Sequence, residues 1–205
     1  MNSLPLFVVG TILTWCLSFP MGIPAALNRG GIYDRTTTFL SYFFISFPGF
    51  VLAYLLILGV AGMFEVPVLG MRTFGQETAP TFYWLNDRVW HLVLPSLLGA
   101  IGGIAFLSRY VRVQMIEVID SDFVRTAHSK GLDENTVYYV HALRNAALPF
   151  VTMFGLLIPA LIGGSVIIEN IFAWPGMGRM AFEAILARDY PIVISLNFFA
   201  AILVL

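Results

Sequence analysis

The residues best equipped for chemistry lie together, in the run from Asp122 to Pro149, DFVRTAHSKGLDENTVYYVHALRNAALP. It carries Asp122, Arg125, Lys130, Asp133, Glu134 and Arg144, with two histidines, in a chain that is 59% hydrophobic and only 11% charged. Its cations are suited to charge-assisted contacts with carboxylates. Metal chemistry is poorly served, because His128 and His141 stand thirteen residues apart without a third ligand. Acyl transfer fares no better: Gly164-Ser165 puts a serine in an apolar segment, but no histidine lies within a span to act as its base. These residue types fit a docking surface for a soluble partner, and the chain is read as having no catalysis of its own.

The elements that must hold this run are membrane helices. Soluble domains carry about 25% charged residues, and this chain, with a mean hydropathy of +0.84, has less than half of that. A spanning helix needs roughly 20 apolar residues to cross about 30 Å of hydrocarbon. The apolar runs are continuous rather than alternating, which selects helices over barrel strands. The net charge of −1 argues against nucleic acid as a partner, and the single Cys16 excludes a disulfide within the chain.

The expectation is a single all-α transmembrane domain over 1–205, with about five spans at 4–27, 39–63, 92–110, 146–168 and 191–205. Pro20, Gly22 and Pro24 should bend the first span, Pro48-Gly49 should kink the second, and Pro159 and Gly163-Gly164 should interrupt the fourth. Polar stretches at 64–91 and 169–190 form the loops on one side. The first holds Glu65, Arg72, Glu77, Asp87 and Arg88 among Tyr83, Trp84 and Trp90, which suit a membrane-surface aromatic belt. The second holds a Pro175-Gly176 turn and an amphipathic segment, Met180 to Ala187.

Basic residues orient the chain. With the 112–145 loop inside, the inner loops hold Arg29, Arg35, Arg109, Arg112, Arg125, Lys130 and Arg144, against Arg72, Arg88, Arg179 and Arg188 outside. That bias places the loop in the cytoplasm. It also leaves the N-terminus outside, so a further span upstream is expected, and the chain reads as part of a longer protein. Within the loop, Arg112 to Lys130 should continue the third span's helix. Gly131 should stop it in a left-handed turn, and Asp133 should cap a second helix through Val137, Val140 and Leu143.

The runs RTAHSKGL and HALRNAALP resemble the cytoplasmic signature loop of ABC importer permeases of the binding-protein-dependent family, in its dipeptide/oligopeptide/nickel branch. That pattern is matched at Asp122, Phe123, Val124, Arg125, Thr126, Ala127, Lys130, Gly131, Leu132, His141, Ala142, Leu143, Arg144, Asn145, Ala146 and Pro149. The stretch ENIFAWPGMGRMAFEAILARDYPI is similar to the branch's external loop at Phe172, Pro175, Gly176, Met177, Gly178 and Arg179, preceded by Glu169. GIPAAL and HLVLP are similar to family patterns as well.

The resemblance implies a type I importer permease fold with a cytoplasmic coupling helix–turn–helix, in the cytoplasmic membrane of a bacterium or archaeon. It also implies a second homologous permease, two cytoplasmic ATPase subunits that carry ATP and Mg, an extracytoplasmic binding protein, and no cofactor on this chain. In that frame Arg125, Thr126, Ala127, Lys130, Gly131, Leu132, His141, Arg144, Asn145 and Pro149 form the ATPase-coupling loop, with Ala127 allowing close approach. The alternative is a secondary transporter driven by an ion gradient. Such proteins keep ionisable residues near the midplane of their spans, and these spans have essentially none. Glu169 either pairs with a basic group of a binding protein or marks the membrane edge. Ser46, Thr152, Ser165 and Asn197 either line a pathway or hydrogen-bond between helices.

Overall fold

A computed structural model describes residues 2–64, 67–73, 81–155 and 165–204. They form α1 (Ser3–Leu27), α2 (Ile32–Ser46), α3 (Gly49–Phe64), α4 (Thr81–Ile119), α5 (Asp122–Ser129), a π-helical segment (Thr136–Ala142), α6 (Leu143–Ala146), α7 (Leu148–Gly155), α8 (Val166–Ile171), α9 (Met177–Leu186) and α10 (Tyr190–Val204), with no strand among the described residues. The all-α expectation holds. Among the described residues, two helices are long and apolar enough to cross a membrane, Ser3–Leu27 and Leu85–Ile119, and α2 with α3 passes the same test only as a pair, broken between Ser46 and Gly49.

α1 runs unbroken through Pro20 and Pro24. A proline in a helix frees the carbonyl four residues before it, and the carbonyl of Pro20, freed by Pro24, accepts from the Tyr33 hydroxyl at 3.4 Å. Pro48, by contrast, separates α2 from α3. Pro159, Gly163-Gly164, Glu65 and Glu77 lie outside the described residues. α4 exceeds the predicted 92–110 at both ends, beginning inside the stretch read as a surface loop and passing through Pro95.

The chain divides into two compact units. One comprises Met1–Leu13, Phe47–Gly102 and Leu157–Leu205, and the other Thr14–Ser46 and Gly103–Leu156. In the first, Ala53, Val68, Leu94, Leu98 and Phe172 form the core. In the second, Ile23, Leu107, Val111 and Met115 from α1 and α4 pack on Val124, Val137, Ala142 and Phe150. The ring of Phe150 meets Trp15, Phe19 and Tyr110 edge-on, with centroids 5.1 to 6.4 Å apart. Large apolar side chains on the helix exteriors, such as Leu58, Val151 and Phe198, are exposed. Lipid is as apolar as those groups, so packing in the spans rests on close contact rather than on escape from water.

Candidate functional site

The predicted loop is built on the core of the second unit. α4 does not continue to Lys130: it ends at Ile119, and α5 begins at Asp122. The break is local chemistry, with the amide of Ser121 donating to the Val118 carbonyl at 3.1 Å and its hydroxyl bonding the same oxygen. Such side-chain bonds compete with helical continuation. α5 is amphipathic: Val124 and Ala127 are buried, while Arg125, Thr126 and Lys130 face solvent. Ala127, expected to let a partner approach, therefore serves the core. Arg125 pairs with Asp122 at 3.6 Å, and both side chains are largely exposed.

Gly131 ends the helix as anticipated, with φ +77°. Its amide donates to the His128 carbonyl at 2.9 Å and the Leu132 amide donates to Ala127 at 3.5 Å, the paired bonds of a Schellman turn. Asp133 caps the next helix: its carboxylate accepts from the Thr136 amide at 3.0 Å and the Thr136 hydroxyl at 2.6 Å. Those two bonds, the hydroxyl's first, hold the Asp133 carboxyl below its ordinary value. The helix that follows is not the expected one. Over Thr136–Ala142 it is π-helical, with an i→i+5 pattern that widens the turn. The buried positions are Val137, Ala142 and Ala146, while Val140 is 56% exposed. The buried Val137 and Ala142 stand five apart, one π-helical turn. His141, Arg144 and Asn145 are exposed, with the Asn145 amide on the His141 carbonyl at 2.9 Å, and Pro149 is half-buried in α7. His128 meets the Tyr138 ring edge-on, centroids 5.8 Å apart. Arg125, Lys130, Leu132 and Arg144 are thus displayed on a frame that Val124, Ala127, Val137 and Ala142 anchor.

The same unit holds a pair that sequence reasoning missed. Asp34, 4% exposed, receives both Nε and Nη2 of Arg112, at 2.5 and 2.8 Å, and the Gly30 amide at 2.8 Å. It ties the α1–α2 connection to α4 across 78 positions, and no sequence spacing announces it. Arg109 beside it hydrogen-bonds the Tyr42 hydroxyl at 2.9 Å and lies 4.0 Å over that ring.

The first unit holds the second predicted region. Glu169 is completely buried, which withholds it from a basic group of a binding protein. Instead it caps α9 from outside. Gly176, the N-cap residue, has no side-chain oxygen, and the first amides of a helix need acceptors. Glu169 Oε2 accepts from the Arg179 amide at 2.9 Å, and Ser3 Oγ accepts from the Met177 amide at 2.8 Å. A carboxylate is favoured at a helix N-terminus. A Cβ on Gly176 would stand 2.3 Å from Glu169 Cδ, so glycine is required by proximity. Glu169 Oε1 has no hydrogen-bond partner among the described residues.

Phe172 and Trp174 are buried, with Trp174 Nε1 donating to the Asn2 carbonyl at 2.8 Å and Pro175 accepting from the Asn2 side chain at 3.1 Å. Gly178 is buried beside them, and Arg179 Nε reaches Glu183 at 2.7 Å. Of the polar span residues, Ser46 and Asn197 bond carbonyls of their own helices, and Ser165 caps α8 by accepting from Ile168.

A family model described as "Binding-protein-dependent transport system inner membrane component" matches residues 18–205. The chain is 39% identical over 203 residues to the oligopeptide transport system permease protein AppB of Bacillus subtilis, covering 99% of this chain and 63% of that protein. It is 35% identical over 208 residues to the dipeptide transport system permease protein DppB of Escherichia coli K12, covering 93% and 61%. With the glutathione transport system permease protein GsiC of Pectobacterium atrosepticum the identity is 37% over 183 residues, covering 88% and 55%. The chain therefore spans less than two thirds of the length of these curated relatives.

Proposed function

Because the chain belongs to the family of binding-protein-dependent transport system inner membrane components, we propose that it is a membrane-spanning permease subunit of an ATP-driven importer of peptides or similar small solutes. The observation that carries this reading is the helix–turn–helix around Gly131, which presents Arg125, Lys130 and Arg144 on a core-anchored frame. A mechanical coupling needs a rigid element, and one held by buried Val124, Val137 and Ala142 transmits displacement instead of absorbing it. The names of the relatives, which are oligopeptide, dipeptide and glutathione permeases, support the solute class.

In this mechanism a cytoplasmic ATPase pair holds ATP and Mg, while this chain supplies no cofactor. Each ATPase subunit receives the coupling loop of one permease, this chain or a homologous second one, and carboxylates in its groove meet the exposed cations. Closure of the ATPase pair on ATP drives the loops together and switches the spans between inward and outward opening. A binding protein delivers solute from the far side, where 169–190 faces. The setting is the cytoplasmic membrane of a bacterium or archaeon, with the coupling loop inside. The test is solute uptake into proteoliposomes by the full assembly. Uptake should require hydrolysable ATP and stop with vanadate. Uptake that survives ATPase inactivation but collapses with an uncoupler would instead identify an ion-driven transporter.

A further inference from the structure

In the second unit, the short connection from α1 to α2 is held by its own hydrogen bonds. Gly30 takes a left-handed φ of +76°. The Gly31 amide donates to the Asn28 carbonyl at 2.9 Å, and the Arg35 amide donates to the Gly31 carbonyl at 3.0 Å. Asp34, in the first turn of α2, closes the turn by accepting from the Gly30 amide at 2.8 Å. The stretch from Gly22 to Asp34 then meets α4 at three heights. A Cβ on Gly22 would stand 2.5 Å from the Ser108 carbonyl oxygen, so α1 and α4 lie in backbone contact there. One turn further along, Arg112 forks onto Asp34. Just past the end of α4, Asp120 meets Arg29 at 3.5 Å, with both side chains well exposed. Between these last two, Met115 is buried in the core that also holds Val124 and Val137 of the loop. From 108 to 119 the helix rises roughly 16 Å, at about 1.5 Å per residue. A helix held at one point can pivot, whereas one held at points this far apart moves with what holds it.

We infer that the stretch from Gly22 to Asp34 is a strut of the coupling device, which carries displacement of the 112–145 loop into α1 and α2. Asp34 and Arg112, with Arg29 and Asp120, are its positioning residues. The inference rests on the importer reading, in which that loop receives the ATPase. A buried ion pair is weak evidence for stability, because apolar residues of similar volume often serve as well. What the guanidinium fork adds is geometry: its two-point contact fixes how α2 meets α4.

The test measures peptide carried per ATP hydrolysed by the full assembly, with its binding protein, in proteoliposomes. The probe is a mixture of di- to hexaalanine, counted in the lumen by mass spectrometry. In assemblies that elute intact, inactive molecules remove uptake and its linked hydrolysis together, so a merely structural role leaves the ratio unmoved. Asp34→Asn should lower the ratio at least about fivefold, because Arg112 loses its charged partner. Arg112→Lys, which keeps the charge without the fork, should fall between. Arg29→Asp should lower it only about twofold, since an exposed pair is worth less. Adding Asp120→Arg should restore it, and both of these positions lie outside the core. Arg35→Ala, at an exposed position of α2, should leave the ratio unchanged. A ratio unmoved by Asp34→Asn or by Arg29→Asp, or not restored by the reversed pair, would overturn the strut. Absence of ATP-driven uptake by the unmodified assembly would overturn the importer reading and the strut with it, so the two failures are told apart.

Discussion

The turn that closes α5 and the turn that closes α8 are made by the same pair of backbone hydrogen bonds, yet they are held in opposite ways. After α5 the left-handed position is Gly131, exposed and with nothing within 4 Å of where a Cβ would stand. After α8 it is Ala173, at φ +52°, with its amide on the Asn170 carbonyl at 3.2 Å and that of Trp174 on Glu169 at 2.8 Å. A side chain in this conformation costs roughly 1–2 kcal/mol. Buried Phe172 and Trp174 on either side impose the turn on Ala173, whereas the loop around Gly131 gets its turn from the residue itself. A turn at the water-exposed end of a unit must be written locally, while a turn inside packed aromatics can be enforced by tertiary contacts.

The buried carboxylates extend the contrast. Asp34 in the second unit is matched by a cation, and Glu169 in the first by a helix amide. The largest expected effect tests the cation-matched site: Arg112→Ala should cost about 3 kcal/mol, since a buried carboxylate would lose its partner. Adding Asp34→Ala should restore part of that loss, and thermal midpoints of the solubilised assembly would show both. Next, Gly176→Ala should cost about 2 kcal/mol through overpacking against Glu169 and Ser3. Gly178→Ala should act in the same direction, and proteolysis of the 169–190 region would report the loosened loop.

The turns themselves come third. Gly131→Ala should cost about 1 kcal/mol and Gly131→Asp should uncouple ATP hydrolysis from uptake. Ala173→Gly should gain about 0.5 kcal/mol, the relieved strain being partly offset by glycine's greater entropy when unfolded. If Gly131→Ala proved neutral while Ala173→Gly stabilised strongly, the contrast between a local and an imposed turn would be wrong. The smallest effect concerns acid. Because Asp133 has a folded pKa below its ordinary value of about 3.9, the cap's contribution is complete above that value and is lost as pH falls through the lower folded one. Faster exchange of the Thr136 amide below about pH 4, absent in Asp133→Asn, would be the sign.

Much of this was legible in the residues. Apolar runs too long for a soluble core, the glycine stop at Gly131, the cap at Asp133 and the proline break before α3 depend on the chain's immediate neighbourhood and its period, and sequence alone determined them. The signature runs also carried the family. Tertiary structure decided what depends on register between distant segments. An α-helix is expected through Val137, Val140 and Leu143, but the π-helical turn adds a residue and brings Ala142 to the core while Val140 stays exposed. Ala127 reads as a small contact residue until the core beneath α5 is seen to claim it. Asp34 and Arg112 meet across 78 positions, and Glu169 reaches an amide ten residues away only because Gly176 and Gly178 let α9 close on it. Local propensity needs only neighbours along the chain, whereas the satisfaction of a buried charge needs partners whose positions the packing alone sets.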